Sequence, residues 1–124
     1  MTRCQLTKSV TFDAAHHLNQ GPADHPYRRL HGHSFRLDVT VEDVPDAADH
    51  WVRDFADLAA AIETVRARLD HSFLNDIPGL ETPTLETICL WVAGELRPAL
   101  PNLVKVAVSR PSLGESCAMA FTPA

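Results

Sequence analysis

Apolar and polar residues alternate with period two at two places along the chain. Cys4, Leu6, Val10 and Phe12 share one parity and Thr7, Ser9 and Thr11 the other, which predicts a strand over about 3–12. His33, Phe35, Leu37, Val39 and Val41 alternate with Ser34, Arg36, Asp38 and Thr40, the clearest strand pattern in the chain. The period then lengthens to 3.6. Phe55, Leu58, Ala59, Ile62, Val65 and Leu69 predict a helix that Asp54 can cap. Leu85, Ile88, Cys89, Val92 and Leu96 predict a second helix, with Thr84 at its N-cap and Pro98 beyond its end. Apolar, β-branched residues predict a strand over 103–109, and 117–121 reads as its hairpin partner. Turn chemistry fills 44–49, and 51–53 is expected to form a short return strand.

Strands grouped on either side of two consecutive helices indicate an α+β fold. The expected form is a four-stranded antiparallel sheet with both helices on one face, in a single domain over 1–124. Uncovered edge strands in so small a sheet predict self-association. The net charge of −5, without a Lys/Arg cluster, argues against a nucleic-acid partner. No apolar run reaches the ~18 residues of a membrane span. Three cysteines without C-x-x-C spacing, behind a start with no apolar leader, are expected of a reducing, cytoplasmic setting. Cys89 falls on the apolar helix face and reads as a small buried hydrophobe.

The candidate chemistry lies in the histidines. His31 and His33 at i, i+2 leave one face of a strand about 6.5–7 Å apart along the chain, within reach of a single ion. His16 has the parity of Leu6, Val10 and Phe12, so it extends the inward face of the first strand. Neutral imidazole is the commonest side-chain metal ligand, and three histidines with one open position make a catalytic zinc arrangement. Read separately, the same residues are ordinary surface or hydrogen-bonded histidines. His17 is expected to face solvent, and His25 and His50 to be solvated in loops. Asp70-His71 follows the first helix directly. An aspartate can fix an imidazole tautomer for proton transfer, although such a dipeptide also ends many helices without chemistry.

Five ordered motifs resemble the 6-pyruvoyltetrahydropterin synthase family. They are Phe12-x-Ala14-Ala15-His16-x-Leu18, Leu30-His31-Gly32-His33-Ser34-Phe35, Trp51-Val52-x-Asp54-Phe55, Leu69-Asp70-His71-x-x-Leu74-Asn75 and Pro83-Thr84-x-Glu86. The stretch over 75–81 is similar to the bacterial 6-carboxytetrahydropterin synthase branch, which serves queuosine biosynthesis. The resemblance implies the tunnelling fold, in which sheets of several subunits close into a barrel, usually a hexamer of two trimers with active sites between subunits. It implies that His16, His31 and His33 ligate zinc and that Asp70 and His71 relay protons. Zinc in such enzymes holds side-chain hydroxyls of dihydroneopterin triphosphate while neighbouring groups move protons.

Two positions depart from the family pattern. Where the family has a catalytic cysteine, four residues before the first histidine of the pair, this chain has Tyr27. A tyrosine can transfer protons but is a poor base at neutral pH unless its site activates it. Where the family ends its C-terminal strand with a pterin-binding glutamate, this chain has Arg110. A guanidinium has only donors, so it suits a carboxylate, phosphate or carbonyl and not the pterin's N–H edge. Glu115 is a candidate replacement acceptor. The expected function is a zinc-dependent lyase or cyclase re-aimed at a small oxygenated metabolite that is not a pterin. Its alternatives are 6-carboxytetrahydropterin synthase activity and a non-catalytic zinc protein.

Overall fold

A computed structural model describes residues 2–122. Both alternating runs form strands longer than their apolar cores. Strand β1 (Cys4–His16) and strand β2 (His31–Asp43) pair antiparallel in unbroken register, from Cys4 opposite Asp43 to His16 opposite His31. The two-residue period continues through Ala14, His16, His31 and His33, so the ladder runs on where the apolar residues stop.

Helix α1 (Phe55–Leu69) starts where Asp54 accepts the Ala56 N–H at 2.9 Å. Helix α2 (Leu85–Leu96) starts where the Thr84 hydroxyl accepts the Thr87 N–H at 3.2 Å. Between them lies the two-residue strand β3 (Ser72–Phe73), parallel to Ala14 and Ala15 of β1. Strands β4 (Leu103–Arg110) and β5 (Glu115–Ala120) close the chain as a hairpin.

The sheet therefore has five strands in the order β3-β1-β2-β4-β5, one more than the sequence pattern indicates. A two-residue strand carries no periodicity, and only its pairing with β1 creates it. The expected return strand at 51–53 is absent. The Asp46 N–H donates to the Trp51 carbonyl at 3.0 Å, closing these residues into a loop.

Both helices cover one face of the sheet. Phe12, Phe35, Leu37 and Val39 are buried there against Leu58, Ile62, Leu69, Ile88, Val92 and Leu96. Each such side chain contributes about 1.5–3 kcal/mol relative to exposure. The other face is polar, with Thr7 hydrogen-bonded to Thr40 at 2.7 Å and Ser34 donating to Asp13 at 2.5 Å. Among the described residues, no helix is long and apolar enough to cross a membrane. His16, His31 and His33 thus stand at one end of the apolar face, at the border of the core.

Candidate metal centre and its cavity

Sheet register assembles the histidines. His16 lies directly across from His31, and Ala14 lies across from His33, which puts His33 diagonal to His16. The ring centroids are 4.6 Å apart for His16–His31, 5.0 Å for His16–His33 and 4.7 Å for His31–His33. One ring nitrogen from each lies within 4.8 Å of the others.

Backbone carbonyls orient two of the rings. His16 Nδ1 donates to Pro83 O at 3.1 Å and His31 Nδ1 to Arg29 O at 2.7 Å. A carbonyl only accepts, so both protons sit on Nδ1 and each Nε2 keeps its lone pair free. Nε2 of His16 and of His33 is buried without a hydrogen-bond partner. Burial lowers the His16 pKa to about 4, aided by the charges of His31, His33 and Arg110 and opposed by the Pro83 hydrogen bond. His33 is lowered for the same first reason, then by His31 and Arg110. Both are neutral near pH 7, the form that ligates. The donor set, its tautomers and its orphaned nitrogens fit a metal with an open coordination position.

The histidines open onto a cavity of about 610 Å³ lined by Tyr27, Arg110 and Glu115 as well as His31 and His33. Three residues that sequence spacing could not connect to the histidines therefore share their cavity. Arg110 is the last residue of β4, one step beyond the Ser109–Arg36 pair, and faces Glu115 across the β4–β5 hairpin. Its Nη2 is 3.0 Å from Glu115 Oε1, while its buried Nε has no acceptor. Tyr27 sits in a single helical turn over Pro26–Arg28, where His25 Nδ1 accepts its N–H at 3.2 Å. The two rings lie 3.7 Å apart, and Tyr27 is 47% exposed. Arg29 and Glu86 also line the cavity. Their only sequence signal was their place in or beside the quoted motifs.

Asp70 and His71 lie elsewhere. Strand alternation turns Asp13 and Ser34 to the opposite face of the sheet from His16 and His33, and the pair packs beside Asp13. The Asp13 N–H donates to Asp70 Oδ1 at 2.9 Å, and the His71 N–H donates to the Asp13 carbonyl at 2.7 Å. The Asp13 amide, with the charges of His71 and Arg66 behind it, holds the Asp70 carboxyl below the usual range. His71 adopts φ 55°, uncommon for a residue with a Cβ. Its Nε2 is 3.9 Å from Asp70 Oδ1, beyond a hydrogen bond, and its side chain is 81% exposed. A hollow of about 510 Å³ there is bordered by Asp13, Gly32, Ser34, His71 and Ser72, and His33 lines both this hollow and the larger cavity. Asp13, hidden in the motif as a variable position, is the residue that sequence reasoning missed on this face.

His17 does not face solvent as expected. It is half-buried, with its ring 5.7 Å from that of Phe73, because the small strand β3 covers this end of β1. Cys89 is buried as expected; burial and the neighbouring Cys117 push its thiol up to about 12, which leaves no thiolate to react.

A family model described as 6-pyruvoyl tetrahydropterin synthase matches residues 5–121. The chain belongs to this family. It is 40% identical over 111 residues to a 6-carboxy-5,6,7,8-tetrahydropterin synthase of Synechocystis, with 83% of each chain covered. It is 35% identical over 104 residues to a dihydroneopterin monophosphate aldolase of Pyrococcus furiosus, with 84% of each covered. The solved 6-pyruvoyl tetrahydropterin synthase of Caenorhabditis elegans superposes with a TM-score of 0.87 at 21% identity, covering 98% of both chains. That likeness establishes the fold, and the family model together with the 40% identical relative establishes membership of the family.

Proposed function

We propose that this chain is a zinc-dependent lyase or cyclase of the 6-pyruvoyl tetrahydropterin synthase family that acts on a small oxygenated metabolite other than a pterin. The carrying observation is the set of three converging imidazoles, two of them with buried, unpartnered Nε2 atoms, opening onto a cavity walled by Arg110. His16, His31 and His33 would hold the ion, which when bound polarises a substrate hydroxyl or carbonyl.

The rest is the work of the chain itself. Tyr27 lines the cavity, able to donate or accept a proton through its phenol. Arg110 binds and orients the substrate from the far strand, and Glu115, paired with it at 3.0 Å, controls access to the guanidinium. His71, with Asp70 kept ionised beside it, is a proton carrier exposed on the opposite face of the sheet. His71 borders a different hollow from the one walled by Arg110, which favours the pair serving the cavity of a neighbouring copy. The uncovered edge of β5 supports such a trimer or hexamer. A cytoplasmic setting suits its free cysteines.

The second reading is 6-carboxytetrahydropterin synthase activity. The 40% identical relative bearing that name favours it, as does Glu115, whose carboxylate enters the cavity although residue 110 is not acidic. Metal analysis of the purified protein, followed by incubation with dihydroneopterin triphosphate, separates the two. Bound zinc without pterin turnover is the expected result. Turnover at ordinary enzymatic rates would replace the first reading with the second, and wild-type protein without zinc would remove the ligand assignment.

A further inference from the structure

Arg110 is an unusual wall for a metal cavity. Its side chain is only 17% exposed, and among the described residues its one ion-pair partner is Glu115, met at Nη2 alone. The Nε–H is enclosed without an acceptor. A buried donor left unmatched carries a desolvation penalty that any incoming acceptor relieves. Glu115 is a loose partner: it is 51% exposed and begins the edge strand β5. An ion pair that half-solvated is weak, and its carboxylate can swing aside or share the guanidinium fork. Meanwhile Arg110, Arg29, His31 and His33 line one continuous cavity.

We infer that this cavity selects an oxyanion-bearing polyol: a small substrate whose carboxylate or phosphate binds Arg110 while its hydroxyls reach the histidine centre. Glu115 is the resident counter-ion that occupies Arg110 until the substrate arrives. This deepens the proposed function and rests on its zinc centre for the hydroxyl half alone; the anion half stands on Arg110. An arginine forks two oxygens at once, so the site favours planar or tetrahedral oxyanions over neutral hydroxyls.

Calorimetric titration of the zinc-loaded protein with glycerate, glycerol 3-phosphate and glycerol tests this. The three share hydroxyls and differ in the anion, so the arms tell carboxylate from phosphate. At least one anion should bind tenfold or more tighter than glycerol. Arg110→Gln should erase that preference, with zinc content and the circular dichroism spectrum unchanged. Glu115→Gln works in the other direction: it frees the guanidinium and should tighten anion binding several-fold, which keeps the test alive should Arg110→Gln fail to fold. Equal binding of all three compounds would overturn the inference. So would an anion preference that survives Arg110→Gln, or weaker anion binding in Glu115→Gln. Repeating the titration on metal-free protein separates the two layers. An Arg110-dependent anion preference in a protein that never takes up zinc would keep the anion site and remove the metal reading.

Discussion

The two ends of chemistry in this molecule are built on opposite principles. The histidine cluster sits at the border of the core, with His16 buried and His31 and His33 half-buried, two of its rings oriented by the carbonyls of Pro83 and Arg29 and its nitrogens converged by strand register. The Asp70–His71 pair is anchored through backbone groups, and its imidazole projects into solvent with no hydrogen bond to Asp70. One cluster converges within a single chain; the other presents its imidazole outward. On the proposed function the missing contact lies across a boundary between copies, because His71 and Arg110 border different hollows.

The largest effect should come from the converged cluster. His33→Ala should abolish stoichiometric zinc binding, measured by metal analysis after purification, since two imidazoles hold the ion far less firmly than three. Full retention would break the contrast at its histidine end.

Complementation between copies is the next test. His31→Ala and His71→Ala should each be inactive alone on whatever substrate the wild type turns over. Unfolded together and refolded as a mixture, they should recover activity at roughly a quarter of the sites, because random assembly pairs an intact cavity with an intact neighbour about one time in four. No recovery would place both halves of the site in one chain.

The third expectation concerns acid. Burial holds His16 at about 4, below the value near 6.5 it takes in the unfolded chain. The unfolded state therefore binds more protons between these two values, and folding stability falls as the pH is lowered through them. Metal-free protein should lose roughly 3 kcal/mol at most between pH 6.5 and 4, read from urea midpoints. The His16 share of that loss should be absent in His16→Phe, leaving only the part due to His33, which burial also lowers. Asp70 acts in the same direction at lower pH, because its depressed carboxyl stabilises the fold only while ionised.

The smallest effect belongs to the exposed pair. His71 holds φ 55°, a conformation a glycine adopts freely. His71→Gly should raise stability by about 0.5–1 kcal/mol while removing the proton carrier. A destabilised His71→Gly would show that the imidazole makes stabilising contacts within its own chain.

Much of this was readable beforehand from local rules. Hydrophobic periodicity located α1, α2 and the long strands, and Asp54 and Thr84 cap as their residue types require. Parity alone put His16, His31 and His33 on inward faces. The family motifs extended that to Asp70 and His71 as a pair. What escaped was non-local. Strand β3 is too short to carry a pattern, and His17 is half-buried because β3 packs beside it. Asp13 looked like a variable position, yet its backbone holds both members of the pair.

By itself the sequence determined which side chains share a face, because side-chain direction within a strand depends only on odd or even position. It also determined that residue 110 offers donors and no acceptor, since that is a property of the residue type. Only the tertiary structure decided which faces meet. Register set His16 against His31, the β4–β5 hairpin set Arg110 against Glu115, and the turn at His71 carried the Asp70–His71 pair to the other side of the sheet. The physical reason is that pairing is a relation between distant segments, fixed by the joint burial of Phe12, Phe35, Leu37 and the helices above them. No single segment's pattern specifies its partner's register.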